Sequence, residues 1–197
     1  MSNNRYAHCR GWENCAFVPA IVQCPAQLRY PQPPNPVHIL FVGWNPPDDH
    51  HMWEGASDPL RNDLASVFEE LGWRGAGDFR EELLNRHCYF VHAVKCWRAV
   101  EKPSVDAIRR CSPLLTEDIA DLKPANLCIL GSLAHVAACL ALPGLPSFEK
   151  FNYGRGWNGE MTGINVIITT FANRRQNRGQ NKLNRECVAD ALRRWVR

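Results

Sequence analysis

The chain is predicted to be a single α/β domain with a central, mostly parallel four-stranded sheet flanked by helices on both faces. Three observations carry this. Four short β-branched or aliphatic runs are each followed by a stretch of helical period. Those runs are almost continuously apolar rather than alternating, as strands covered on both faces must be. Finally, 197 residues, of which 45% are hydrophobic and 22% charged, can bury one real core without a disulfide scaffold.

Residues 1–36 read as an N-terminal arm and residues 37–197 as the α/β domain. The arm holds Cys9, Cys15 and Cys24, then Tyr30-Pro31-Gln32-Pro33-Pro34-Asn35-Pro36, which neither continues a helix nor pairs well in a sheet. Val37 to Val42 is the first strand and stops at Gly43. Leu60, Leu64, Val67, Phe68 and Leu71 recur at helical spacing, with Gly72 as the stop. Cys88 to Val94 is the second strand. Val105, Ile108, Leu114, Leu115, Ile119 and Leu122 predict helix, broken or restarted near Pro113. Asn126 to Leu130 is the third strand, with Gly131-Ser132 opening a helix to about Leu142. Ile164 to Thr170 is the fourth, strongly β-branched, and a helix from about Asn181 to Trp195 closes the chain.

No apolar run reaches the roughly 18–20 residues of a membrane span. Met1-Ser2-Asn3-Asn4-Arg5 lacks the charged-then-apolar order of a signal peptide. A cytoplasmic monomer without a membrane partner is expected. Its nine cysteines are then free thiols or metal ligands, because reducing compartments disfavour disulfides. Cys128 and Cys139 sit among aliphatics and read as packing residues.

A net charge of +3 and a pI near 8.4 do not alone demand a nucleic-acid partner. The distribution is more telling. Arg174, Arg175, Arg178, Lys182, Arg185, Arg193, Arg194 and Arg197 face only Glu186 and Asp190 over the same stretch. Such an end suits phosphates, or is a solvated basic helix. In parallel sheets ligands bind at the carboxyl ends of the strands. Those ends here are Gly43-Trp44-Asn45-Pro46-Pro47-Asp48-Asp49, Lys95-Cys96-Trp97-Arg98, Gly131-Ser132, and Phe171 to Gly179.

At these ends the chain resembles the uracil-DNA glycosylase superfamily, in order from about Cys9 to Lys182. Ile39 to Pro46 is similar to the first motif, a strand entering Gly-x-Asn-Pro in the mismatch-specific and single-strand-selective branches. Tyr89 to Cys96, followed by Cys111-Ser112-Pro113, is similar to the iron–sulfur branch, where a strand ends in Lys-Cys and another Cys opens the next helix. Lys123-Pro124 to Leu130-Gly131-Ser132-Leu133-Ala134 resembles the same branch. The last motif departs, since the usual His-Pro-Ser is Ala172-Asn173-Arg174, although Asn177 and Asn181-Lys182 keep the spacing of the single-strand-selective enzymes.

The resemblance implies a monofunctional DNA glycosylase that flips a base out of DNA and hydrolyses its N-glycosidic bond. Asn45 would orient the water, and Asp48 and Asp49 would act as base or steer the cation-like sugar. Gly43, Trp44, Pro46, Trp53 and His92 would form the base pocket, with Trp44 or Trp53 stacking on the base. His92 stands where the family commonly has an Asn that reads uracil, and an imidazole cannot present an amide's donor and acceptor together. With Ala172 replacing the leaving-base His, this points to a base other than plain uracil, such as a modified cytosine of phage DNA in a defence role. Ser132, Asn173, Arg174, Arg175, Gln176, Asn177 and Lys182 would bind the DNA, with Arg175 or Gln176 as the wedge. No lysine is suited to Schiff-base chemistry, except that Lys95 keeps the possibility open.

The resemblance also implies a structural 4Fe-4S cluster on Cys9, Cys15, Cys96 and Cys111. Cys24 competes with Cys9 and Cys15, because five residues separate those two where the family has two. Zinc is the alternative, with His8 beside Cys9 as a further donor. Two other functions stay open. One is a non-catalytic nucleic-acid-binding relative, which Ala172 favours and Asn45 opposes. The other is an unrelated α/β hydrolase or nucleotide-binding protein, although neither Gly-x-Ser-x-Gly nor a phosphate-binding Gly-x-x-x-x-Gly-Lys-Ser/Thr loop occurs.

Overall fold

The structure, a computed structural model, describes residues 21–23, 30–44, 52–53, 58–73, 75, 77–95, 97–98, 105–147, 156–169 and 178–195. In chain order the elements are β1 (Ile21–Gln23), β2 (Ile39–Gly43), α1 (Pro59–Glu70), α2 (Phe79–Asn85), β3 (Cys88–His92), β4 (Trp97–Arg98), α3 (Val105–Leu122), β5 (Asn126–Leu130), α4 (Ser132–Ala141), β6 (Trp157–Met161), β7 (Ile164–Thr169) and α5 (Arg178–Trp195). No helix among the described residues is long and apolar enough to cross a membrane.

The sheet runs β3-β2-β5-β7-β6, with the first four strands parallel and β6 antiparallel to β7. β2, β3 and β5 are buried along their whole length, and β7 over its last four residues, which explains their unbroken apolar character. The chain steps from β2 to β3 in one direction, then from β3 past β2 to β5 and on to β7 in the other. Right-handed crossovers therefore place α1 on one face and α3 and α4 on the opposite one. α3 packs on α4, and α5 packs on α1 and β7.

The fifth strand is an addition to the predicted four. In Trp157-Asn158-Gly159-Glu160-Met161 half-buried and exposed positions alternate, as at an edge, and Gly159 leaves a gap that the Trp157 ring occupies. Thr162 and Gly163, at φ of 52° and 80°, form the tight turn into β7. The helix α2 and the small β1–β4 ladder are also additions. α2 is seven residues long and starts where Asp78 accepts a hydrogen bond from Arg80 N at 3.0 Å.

Two helix signals behave differently. α1 starts as its sequence implies, with Pro59 in the first turn and Asp58 Oδ1 accepting from Arg61 N at 2.8 Å. It ends at Gly72, φ 67°, where Gly72 N donates to Glu69 O and Trp73 N to Phe68 O, and the Trp73 and Phe68 rings meet edge to face at 5.3 Å. α3, by contrast, is not broken at Pro113 but runs through it. The imide at 113 cannot donate to the Arg109 carbonyl. Ser112 Oγ donates to that carbonyl instead, at 2.8 Å, so the break expected from proline is repaired one residue earlier.

Candidate active site

The order of the parallel strands makes β2 the first in sequence but the second in space. The crevice between the carboxyl ends of β2 and β5 is thus the switch point of the sheet, where a ligand meets loops diverging to either side. Four strand ends meet along this edge: Gly43, His92, Leu130 and Thr169.

Gly43 and His92 are register partners. Pairing continues past the strands, with Ala93 N donating to Gly43 O at 2.8 Å and Val94 N to Trp44 O at 2.7 Å. The exit from β2 is therefore held against the exit from β3. Gly43 is required sterically, since a Cβ there would lie 2.5 Å from Phe90 Cζ. The Phe90 ring in turn stands edge-on to His92 at 4.9 Å. His92 is 2% exposed, and its Nδ1 lies 2.8 Å from the hydroxyl of Tyr30, itself buried. Among the residues expected at the pocket, the structure thus brings together Gly43, Trp44 and His92.

The two tryptophans separate. Trp44, beside Gly43, is 38% exposed, whereas Trp53 is fully buried. Trp53 donates its indole N–H to Phe90 O at 3.1 Å, and its ring lies 5.2 Å from that of Tyr89. This makes Trp53 a cover for β3 and leaves Trp44 as the aromatic with an accessible face.

On the other side of the crevice, Gly131 adopts φ 98° and ψ 163°, a conformation open to glycine, and its N–H donates to Thr169 O at 2.7 Å. That bond ties the ends of β5 and β7. α4 then begins at exposed Ser132 with no side-chain cap, so its amino end contributes positive potential at this edge. A separate cavity of about 420 Å³, lined by Thr116, Lys123, Leu142 and Thr162 among others, lies at the opposite, amino-terminal edge of the sheet.

Lys95 follows this site and is fully buried. Its Nζ donates to Asp118 Oδ2 of α3 at 2.6 Å. Neither Asp118 nor Tyr30 is among the candidate site residues of the sequence. A signal for Asp118 existed: with Ile108, Cys111 and Leu115 it lies on the buried stripe of α3, where an acid needs a cation. For Tyr30 there was none, because a proline-rich segment has no period from which burial is read.

Asn45, Pro46, Asp48, Asp49, Asn173, Arg174, Arg175, Gln176 and Asn177 lie outside the described residues, as do Cys9, Cys15, Cys24 and Cys96. Lys182 falls on α5. Cys111 is buried on α3. Cys128 is fully buried, and burial pushes its thiol well above the ordinary range, as the packing role requires. Cys139 is half-buried, with Sγ 3.5 Å from Pro146 O.

A comparison with curated proteins finds no match. The family model described as the uracil DNA glycosylase superfamily, whose members act on DNA and hydrolyse N-glycosyl bonds, matches residues 31–196. That span includes all four parallel strands and the crevice between them, and the chain belongs to this superfamily.

Proposed function

We propose that this protein is a monofunctional DNA glycosylase that flips a damaged or modified pyrimidine out of DNA and hydrolyses its N-glycosidic bond, leaving an abasic site. The observation that carries the reading is the pairing of Gly43 with His92 at the carboxyl end of the sheet, one strand away from the switch point. It sets the segment leading into Asn45 beside the buried imidazole at the end of β3.

In this reading the water oxygen bonds to C1′ as the C1′–N bond breaks, and the electron pair leaves with the base. Asn45 orients the water, and Asp48 or Asp49 takes its proton and steadies the cation-like sugar. Trp44 stacks on the extruded base. Arg174 or Arg175 offsets the charge of the leaving base or holds a phosphate, with Ser132, Asn173, Gln176, Asn177 and Lys182 completing the DNA contacts. Burial of Lys95 against Asp118 supports hydrolysis rather than amine attack. His92 and Ala172 favour a base other than plain uracil, and a modified cytosine of foreign DNA in a defence role lies within that range.

We further assign a structural 4Fe-4S cluster to Cys9, Cys15, Cys96 and Cys111, with zinc as the alternative. The β1–β4 ladder supports a link between the arm and this region. It pairs Gln23 with Trp97, the chain neighbours of Cys24 and Cys96, which also makes Cys24 a candidate for one of the arm positions. Iron and sulfide analysis of protein purified without air, with Cys24→Ala and Cys9→Ala beside it, decides both points.

The test of function is base release from duplex and single-stranded oligonucleotides carrying uracil, deaminated purines or modified pyrimidines, followed by alkaline cleavage. The expected result is cleavage at one such base and its loss in Asn45→Ala with the fold intact. A fully active Asn45→Ala protein overturns the mechanism. DNA binding without release of any base selects the second reading, a non-catalytic relative, which Ala172 favours.

A further inference from the structure

We propose that the cavity at the amino-terminal edge of the sheet binds a small carboxylate with an apolar body, whose charge is met by Lys123. The site lies at the opposite edge from the candidate base crevice and does not depend on the glycosylase reading.

Three chain ends converge at this cavity: the last turns of α3 and α4, and the turn from β6 into β7. Ile119, Pro124, Leu142 and Ile164 supply its apolar wall around a volume of about 420 Å³. Sites for small organic molecules span roughly 300–1,000 Å³ and combine such a wall with a few polar groups that fix orientation. The polar groups therefore decide what fits.

Three side chains on the wall carry a hydrogen-bond donor, and two of them are already committed. Thr116 Oγ1 donates to Ser112 O at 3.1 Å, and Thr162 Oγ1 donates to Met161 O at 2.7 Å. The third is Lys123. Its backbone N–H is spent on Ile119 O at 3.0 Å, but its ammonium makes no ion pair or hydrogen bond among the described residues. Glu117 and Asp121, the acids nearest to it in sequence along α3, do not line the cavity.

The wall thus offers apolar surface, hydroxyls turned to their own backbone, and one uncommitted positive charge. An amine would meet that charge with its own. A neutral molecule would leave it unmatched. A phosphate, with several charged oxygens, would find a single point charge and no second cation on the wall. A monocarboxylate matches both the count and the sign, and its hydrocarbon part covers Ile119 and Leu142. The backbone at this position agrees, because Lys123 sits at φ 45° just past α3, where glycine is the unstrained choice. The chain carries a long cationic side chain where a bare backbone would fold with less strain.

A titration of the ¹⁵N-labelled full chain with octanoate, octanol and octylamine tests the assignment. Octanoate should shift the amides of Ala120, Lys123, Leu142 and Thr162 saturably, octanol more weakly and octylamine least. Lys123→Gln should weaken octanoate roughly tenfold and leave octanol unchanged. Lys123→Gly, which suits the positive φ, should match or exceed the wild-type Tm while losing octanoate to the same extent. An absence of saturable shifts at these amides overturns the site. An equal response to octylamine and octanoate overturns the role of charge, and that comparison is made on the wild type, without any variant having to fold. Unchanged octanoate affinity in both Lys123 variants overturns the assignment to Lys123.

Discussion

Lys95 Nζ and Asp118 Oδ2 meet at 2.6 Å with side-chain exposures of 0% and 1%. The pair joins the segment leaving β3, three residues after the candidate base-contacting His92, to the carboxyl-terminal part of α3. Two desolvated charges gain little over a well-packed apolar pair, but removing one strands the other. Lys95→Met or Asp118→Asn should each destabilise the fold by about 3–5 kcal/mol in urea unfolding. The double substitution Lys95→Met with Asp118→Leu should recover much of that loss. Equal destabilisation by the double and single variants would show that the ion pair is not what the singles disrupt.

Gly43 predicts a local conflict that can be relieved. A methyl at this position meets Phe90 Cζ at 2.5 Å, with Leu60 a further 3.3 Å contact. Gly43→Ala should cost about 1–3 kcal/mol by overpacking and lower base release by displacing the ring that abuts His92. Phe90→Leu in the same protein should restore part of the stability. An active, fully stable Gly43→Ala protein would contradict the close packing of these two strand ends.

Much of this was legible in the sequence, and the remainder was hidden for identifiable reasons. The parallel strands announced themselves because both of their faces are buried, and Gly72 and Pro59 mark α1 by local chemistry that tertiary context does not overrule. β6 was hidden because an edge strand carrying Gly and two polar residues has too few apolar positions to show its period. The continuity of α3 was hidden because Pro113 is read as a break unless Ser112 is recognised as the substitute donor. The position of Gly43 at a strand end followed from pattern alone, whereas the pattern carried the second strand to Val94, two residues past the observed end at His92, because Ala93 and Val94 are as apolar and buried as the strand itself. The partners Tyr30 and Asp118 are long-range contacts that only folding supplies.

Thiol reactivity should divide by depth. Burial pushes the Cys88 thiol up to about 12, outweighing the opposing pull of Arg86, and pushes Cys128 well above its ordinary value. The thiolate is the reactive form, so neither residue should be alkylated by iodoacetamide at pH 8 in the folded protein, and both should react in urea. Mass-spectrometric mapping of the labelled cysteines checks this. Rapid alkylation of Cys128 before unfolding would contradict its burial in the central strand β5.

His135 should give stability a measurable dependence on pH. Its side chain is buried in α4, with Nε2 donating to Pro146 O at 2.9 Å. Burial lowers its pKa below 6.5, outweighing the hydrogen bond to Pro146, which acts the other way. Between the lowered folded value and 6.5 the unfolded chain binds more protons than the folded one, so stability rises with pH there. The contribution of His135 is accordingly complete above 6.5 and declines as pH falls toward the folded value, below which it is lost. Thermal unfolding of wild type and His135→Gln between pH 8 and pH 5 isolates this residue, because the other titrating groups are common to both. The wild type should lose more of its Tm over that interval than the variant does, and parallel curves would show that His135 titrates alike in the folded and unfolded chains.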